Sequence, residues 1–272
     1  MAIEMLTASE FLGRAVSGRS RPMQCQCENS AGELIDVYVK SVGFHADLTS
    51  DYLVAELVAN AFACDLKLPA ATPYLVKIDP EFVDSLPDNV EGNELRKSFN
   101  DDSVIAFGSK QFSPVRRWNA TDLVRKPQRE AACSLYLFDT IVENSDRGID
   151  NPNLLVSGTD FKVIDFGHSF QRCHSDGDYN DSPFPWQKMG ILNGIVGNLQ
   201  HVMFKEAQKA DDQDFSNFLT VLQNLNDNKI QGYIEDVPPS WSQDTACKIV
   251  DYLLEARNHA VEFIERAKGV LR

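Results

Sequence analysis

Carboxylates and amides gather in two short runs of this sequence, Asn144-Ser145-Asp146-Arg147-Gly148-Ile149-Asp150-Asn151-Pro152-Asn153 and Asp165-Phe166-Gly167. Between them lie two apolar segments, Leu154-Leu155-Val156 and Phe161-Lys162-Val163-Ile164. Ser157-Gly158-Thr159-Asp160 separates the segments, which predicts a β-hairpin. A hairpin returns its ends to one place, so Asp146, an asparagine and Asp165 would meet at a single mouth. Phosphoryl transfer needs such a set: a carboxylate to orient or deprotonate an attacking hydroxyl, and oxygen ligands for Mg²⁺. Gly167 permits a sharp turn, letting Asp165 project towards a phosphate while Phe166 packs inward. Asp-Arg or Asp-Phe-Gly alone arises in ordinary surface turns; the combination around a hairpin carries the reading.

In its Asp-Arg-x-x-x-Asn and Ile-Asp-Phe-Gly motifs, across residues 130–170, the chain resembles the protein-kinase-like superfamily. The likeness is greatest to the HipA-like kinases, with a further likeness to phosphatidylinositol kinases. The resemblance implies Asp146 as catalytic base, and Asn151 and Asp165 as magnesium ligands. Asn153 rivals Asn151: Asn151 keeps the offset from Asp146 found in these families, whereas Asn153 immediately precedes the Leu-Leu-Val strand. Both are carried forward. In the N-terminal half, Val37-Tyr38-Val39-Lys40 resembles the strand that bears the ATP lysine, and Glu56 stands where its helix partner is expected. Lys40 would then bind the α- and β-phosphates and Glu56 would hold its ammonium in place. The loop with Gly18, Arg19, Ser20 and Arg21 would cover phosphates with backbone N–H groups and a guanidinium. Two departures stand out: Gly148 replaces the histidine often found after Asp-Arg, and no multi-glycine phosphate loop is visible. The implied activity is transfer of the ATP γ-phosphate, with Mg²⁺, to a serine or threonine hydroxyl of a protein. A small-molecule or lipid kinase shares every motif, and a nucleotide-binding pseudokinase with a regulatory protein partner is the alternative from another class. Fold resemblance does not transmit a substrate.

These residues need a scaffold, and the hydrophobic pattern supplies one. Ile35, Val37 and Val39 alternate with polar residues over Leu34–Lys40, predicting a strand that ends on Lys40. Leu53, Val54, Leu57, Val58 and Ala61 fall at helical spacing over residues 50–64, with Thr49 or Ser50 as N-cap and Glu56 mid-helix. Residues 74–78 and 104–108 read as strands, with an exposed excursion from Pro80 to Asp102 between them. The segment Glu4–Ala15 reads as a short helix or an irregular entry. Helices are expected over 128–142, 192–206, 215–225 and 245–267. The pattern predicts an α+β, bilobal kinase-like fold with a strand-rich N-terminal lobe (1–112), a mainly helical C-terminal lobe (113–272), and ATP between them.

Composition narrows the partners. With 26 basic and 40 acidic residues, the net charge of −14 repels nucleic-acid backbones and anionic lipid. Cys25 and Cys27 find no further ligands to complete a metal set, and His168 and His174 around Cys173 are read as locally bonded side chains. All six cysteines are expected to be reduced thiols. No apolar run approaches the roughly 20 residues of a membrane span, and the N-terminus lacks a leader pattern, so a cytoplasmic protein is expected. Asp139 and Asp150 either tune the site or face solvent; the pattern leaves both open.

Overall fold

The computed structural model of the chain describes residues 3–16, 20–99, 102–119, 121–180, 182–190 and 200–272. Strands β1 (Met5–Arg14), β2 (Met23–Glu28), β3 (Leu34–Lys40), β4 (Pro73–Ile78) and β5 (Val104–Lys110) close into a barrel in the order β1-β2-β3-β5-β4. Closure comes from a parallel pairing of β1 with β4, Met5 opposite Leu75 through Thr7 opposite Lys77. The residue type explains the inside: Leu6, Ala8, Met23, Cys25, Cys27, Val37, Val39 and Val76 alternate inward and are buried. Cys25 and Cys27 are therefore barrel-core thiols. Burial pushes the Cys27 thiol up to about 12, consistent with an inert apolar side chain.

The segment expected as a short helix or irregular entry is β1. Its alternation is hard to read because the pairing with β2 shifts register between Ala8 and Glu10 and again between Phe11 and Gly13, as β-bulges do. The excursion after β4 is also more structured than expected. It contains α2 (Pro80–Ser85) and α3 (Val90–Arg96), which bury Phe82, Leu86, Leu95 and Phe99 against the barrel.

Helix α1 (Ser50–Asp65) is the central element. Every residue from Asp51 to Ala63 is buried, because the helix is wedged between the barrel and the C-terminal lobe rather than lying on a surface. The Thr49 side chain caps it by accepting the Tyr52 N–H at 3.2 Å.

Beyond β5 the chain is mainly helical: α4 (Arg129–Ile141), α5 (Phe204–Ala207), α6 (Asp212–Gln223), α7 (Asp227–Glu235), α8 (Gln243–Asn258) and α9 (Ala260–Leu271). The long helix expected over 245–267 is two helices meeting at His259. Of the helix expected over 192–206, residues 192–199 lie outside the described residues, and α5 is a single turn. The expected hairpin is present as β7 (Leu154–Ser157) and β8 (Asp160–Val163), joined through Gly158 at φ +61°, with the two-residue β6 (Arg116–Arg117) on its edge. Backbone bonds from Val163 N–H to Pro69 O (3.0 Å) and from Ala71 N–H to Val163 O (3.3 Å) tie this hairpin to the chain following α1.

The barrel wall is tightest at Gly108, where an added Cβ would lie 2.6 Å from Val76 Cγ2 and 3.4 Å from Tyr74 Cβ. Gly108→Ala is expected to destabilise the protein by about 1–3 kcal/mol through overpacking, read from urea midpoints. Combining it with Val76→Ala should recover part of that loss.

Candidate active site

Lys40 is the last residue of β3 and only 6% exposed. A buried ammonium needs partners, and it has two carboxylates: Glu56 Oε2 at 2.9 Å and Asp165 Oδ1 at 2.9 Å. Glu56 comes from the middle of α1 and also accepts the Phe166 backbone N–H. Burial would lower the Lys40 pKa, but the two carboxylates outweigh it and the ammonium is held well above its ordinary value. Burial alone would raise the Asp165 carboxyl; the charge of Lys40 and bonds from Lys40 and Tyr52 bring it down to about 2. Glu56, enclosed and repelled by Asp165, is displaced upwards by its burial despite Lys40.

The second group forms around Asp146. Asn151 Nδ2 donates to both Asp146 carboxylate oxygens at 2.9 Å, and Asn153 Nδ2 donates to Asp146 Oδ2 at 3.1 Å and Asp146 O at 2.8 Å. Both asparagines thus reach the same carboxylate, but they differ in setting. Asn151 is exposed, whereas Asn153 is half-buried and its carbonyl accepts the Ile164 N–H at 3.1 Å, one residue before Asp165. The hairpin does bring its two ends to one mouth.

Arg147 joins the two groups. Its side chain is fully buried, and Nε bonds Asp139 Oδ2 at 2.6 Å. Nη1 donates to Asn153 O at 2.9 Å and Ile164 O at 3.0 Å, and Nη2 to Asp165 O at 3.3 Å. Asn153 (φ +46°) and Asp165 (φ +62°) both occupy the left-handed region, at a cost of about 1–3 kcal/mol each. The charged fork of Arg147 holds the carbonyls of those two residues and offsets that strain. Its guanidinium also lies 5.2 Å from the Phe166 ring centroid, and Phe166 is fully buried.

Asp139, whose role the sequence leaves open, is the anchor of this arrangement. It is fully buried on α4 and accepts Asn144 Nδ2 at 2.8 Å besides Arg147. His201 Nδ1 accepts the Met203 N–H at 3.1 Å, so Nε2 carries the proton and donates to Asp139 Oδ2 at 3.1 Å. Burial would raise the Asp139 carboxyl, but Arg147, His201 and Asn144 hold it below the ordinary range. Asp150, by contrast, is exposed.

The segment after Asp-Phe-Gly is fixed by two further carboxylates. Arg172 pairs with Glu143 at 2.5 and 2.6 Å and donates to Tyr179 O and Ser182 O. Asp51, at the start of α1, accepts the Ser175 N–H at 3.1 Å and hydroxyl at 2.5 Å, and the Thr245 hydroxyl at 2.6 Å. A cavity of about 600 Å³ opens here, lined by Thr49, Tyr52, His168, Gln171 and His174 among others.

Of the phosphate-loop residues, Gly18 and Arg19 lie outside the described residues. Ser20 and Arg21 sit at the β1–β2 connection, where their carbonyls accept bonds from Arg14, and the Arg21 guanidinium pairs with Glu91 of α3 at 2.7 Å. Among the described residues, no three His, Cys, Asp or Glu side chains assemble into a metal cluster, so His168, His174 and Cys173 do not form one. Sequence reasoning left Asp139 open and missed His201 and Tyr52. Tyr52 carried a signal, since it stands one helical turn before Glu56 on the same face; His201 carried none, being far away in the chain.

A family model described as HipA-like kinase matches residues 8–182. Among solved structures, the proinflammatory kinase CtkA of Helicobacter pylori is similar over 99% of this chain and 98% of its own, at TM-score 0.56 and 13% identity, a likeness of fold. The Golgi casein kinase with Mn/ADP bound aligns at TM-score 0.46 and 11% identity, over 96% of this chain and 73% of its own. HipA of Shewanella oneidensis MR-1, solved with HipB and operator DNA, aligns at 0.43 and 10%, over 96% of this chain and 68% of its own. No curated protein sequence matches the chain.

Removing the anchor is expected to be costly. Asp139→Ala leaves the Arg147 charge buried without its carboxylate and should destabilise the fold by about 3–5 kcal/mol in urea unfolding. The folded-state pKa of Asp139 lies below an unfolded value of about 3.9. Its contribution is therefore complete above that pH and lost as pH falls through the folded value, so the gap between wild type and variant narrows in acid.

Proposed function

The chain belongs to the HipA-like kinase family and is a kinase, and from that premise we propose that it phosphorylates a serine or threonine hydroxyl of a protein, using ATP and Mg²⁺. The observation that carries the proposal is the convergence of Lys40, Glu56 and Asp165 with Asp146 and its two asparagines around the buried Arg147. Residues 1–112 form the nucleotide-binding lobe and residues 113–272 the catalytic lobe in this reading.

The donor set suits the groups it would hold. Magnesium prefers a few hard oxygen ligands and completes its shell with phosphate and water. Asp165 and an asparagine amide at the hairpin mouth are of that kind. Asn153 is the better candidate, because its backbone is bonded next to Asp165, while Asn151 is exposed and its amide divides between the two Asp146 oxygens. Bound ATP supplies the phosphoryl group and bound Mg²⁺ neutralises charge that develops on the phosphate oxygens. Lys40, kept charged and immobile by Glu56, binds phosphate oxygens. Asp146, oriented by the two amides, accepts or orients the proton of the attacking hydroxyl. Gly18, Arg19, Ser20 and Arg21 contribute phosphate cover; for Arg21 this requires its guanidinium to leave Glu91.

Among the described residues no helix is long and apolar enough to cross a membrane. In this reading the kinase is cytoplasmic and works alone or under a regulatory protein.

Wild-type protein incubated with γ-labelled ATP, Mg²⁺ and a generic protein substrate is expected to transfer label. Asp146→Ala should lower kcat by about 10²–10⁴, and Asp165→Asn should abolish transfer while ADP binding without metal persists. Nucleotide binding with no transfer to protein, lipid or small-molecule hydroxyls would establish a pseudokinase instead.

A further inference from the structure

Tyr52 belongs to none of the roles assigned above, yet it touches the centre of the site. Its side chain is buried on α1, and its hydroxyl donates to Asp165 Oδ1 at 2.9 Å. That oxygen also accepts Lys40 Nζ at 2.9 Å, so both bonds fall on one side of the carboxylate. Lys40 Nζ lies 3.4 Å from the Tyr52 hydroxyl and 5.3 Å from its ring centroid. The ring also makes a T-shaped contact with His168, centroids 5.5 Å apart. A Tyr52 displaced from this place would take away a bond that fixes the rotation of Asp165.

The ring also explains Gly167. A Cβ added there would come within 1.9 Å of Tyr52 Cζ and 2.2 Å of Cε1. Gly167 is not among the positive-φ glycines, and the left-handed residue of the motif is Asp165 at φ +62°. The glycine is thus required by the close approach of an aromatic ring, not by its own backbone angles.

We propose that Tyr52 is a positioning residue for Asp165: its hydroxyl turns one carboxylate oxygen towards Lys40 and presents the other for a divalent cation, and its ring dictates the glycine of Asp-Phe-Gly. The inference rests on the reading that Asp165 is a metal ligand. Partners of metal ligands outside the coordination shell commonly contribute about 10–100-fold to metal affinity. Tyr52→Phe removes the hydroxyl and keeps the ring. Gly167→Ala keeps the hydroxyl but drives the ring away.

The test is Mn²⁺ binding to the full-length protein in the presence of ADP, followed by electron paramagnetic resonance, with ADP affinity without metal and thermal midpoints measured alongside. Tyr52→Phe is expected to weaken Mn²⁺ about tenfold while metal-free ADP affinity and the midpoint stay near wild type. In phosphoryl transfer, the same loss should appear in the Mg²⁺ concentration giving half-maximal rate. Gly167→Ala should weaken Mn²⁺ in the wild-type background but change it little in a Tyr52→Ala background, where the ring is gone. Equal Mn²⁺ affinity in wild type and Tyr52→Phe would overturn the role of Tyr52 and leave the nucleotide–metal reading standing. A wild type that binds ADP but no Mn²⁺ would overturn both.

Discussion

The buried pair of Asp139 and Arg147 is the constraint on which the rest of the site depends. Neither side chain reaches solvent, so the pair persists only because almost every lone pair and N–H in it is used: Asn144 and His201 complete Asp139, and the carbonyls of Asn153, Ile164 and Asp165 complete Arg147. A pair of this kind is weak evidence for net stability, since an apolar replacement would avoid the desolvation cost. What it supplies is specification. One guanidinium fixes the loop that carries Asp146, the entry of the hairpin and its exit, and so makes three separated stretches of chain into one surface.

The strain at Asn153 and Asp165 belongs to the same arrangement. Left-handed backbone at non-glycine residues persists only where the surroundings over-determine it. Asparagine and aspartate tolerate it better than most residues, and these two types are also the oxygen donors that a hard cation favours. The chemical and conformational demands therefore select the same residues. On the other side of the site, Lys40 faces two carboxylates, Glu56 and Asp165.

Helix α1 transmits this arrangement between lobes. It carries Asp51, Tyr52 and Glu56, which reach the Ser175 segment, Asp165 and Lys40 respectively. Its C-terminal end is held as well, with Asp65 bonded by the Tyr233 hydroxyl at 2.7 Å and by Lys229 at 2.8 Å. A helix buried on all sides cannot slide without breaking several of these contacts. The position of Glu56 is therefore set by packing in both lobes, and the segment after Asp-Phe-Gly is held by Arg172 and Asp51.

The sequence by itself determined the family, the α+β class, the hairpin between Asn153 and Asp165, and the strand and helix that bear Lys40 and Glu56. All of these rest on short-range pattern: period two, helical spacing, a glycine turn, and motif residues within one loop. Where long-range pairing decides, the pattern failed. Strand β1 was hidden by bulges that exist only against β2, and Phe82, Leu86, Leu95 and Phe99 look exposed until the barrel lies beneath them. Asp139 and His201 are 62 positions apart and acquire meaning only when α4 and the loop before α5 meet. Gly167 was legible as a glycine that must be kept, but its reason lay in Tyr52, more than a hundred residues earlier. Only the tertiary structure decides such matters, because the cost of a buried charge or a missing Cβ is set by what the folded chain brings against it, and local sequence carries no record of that neighbour.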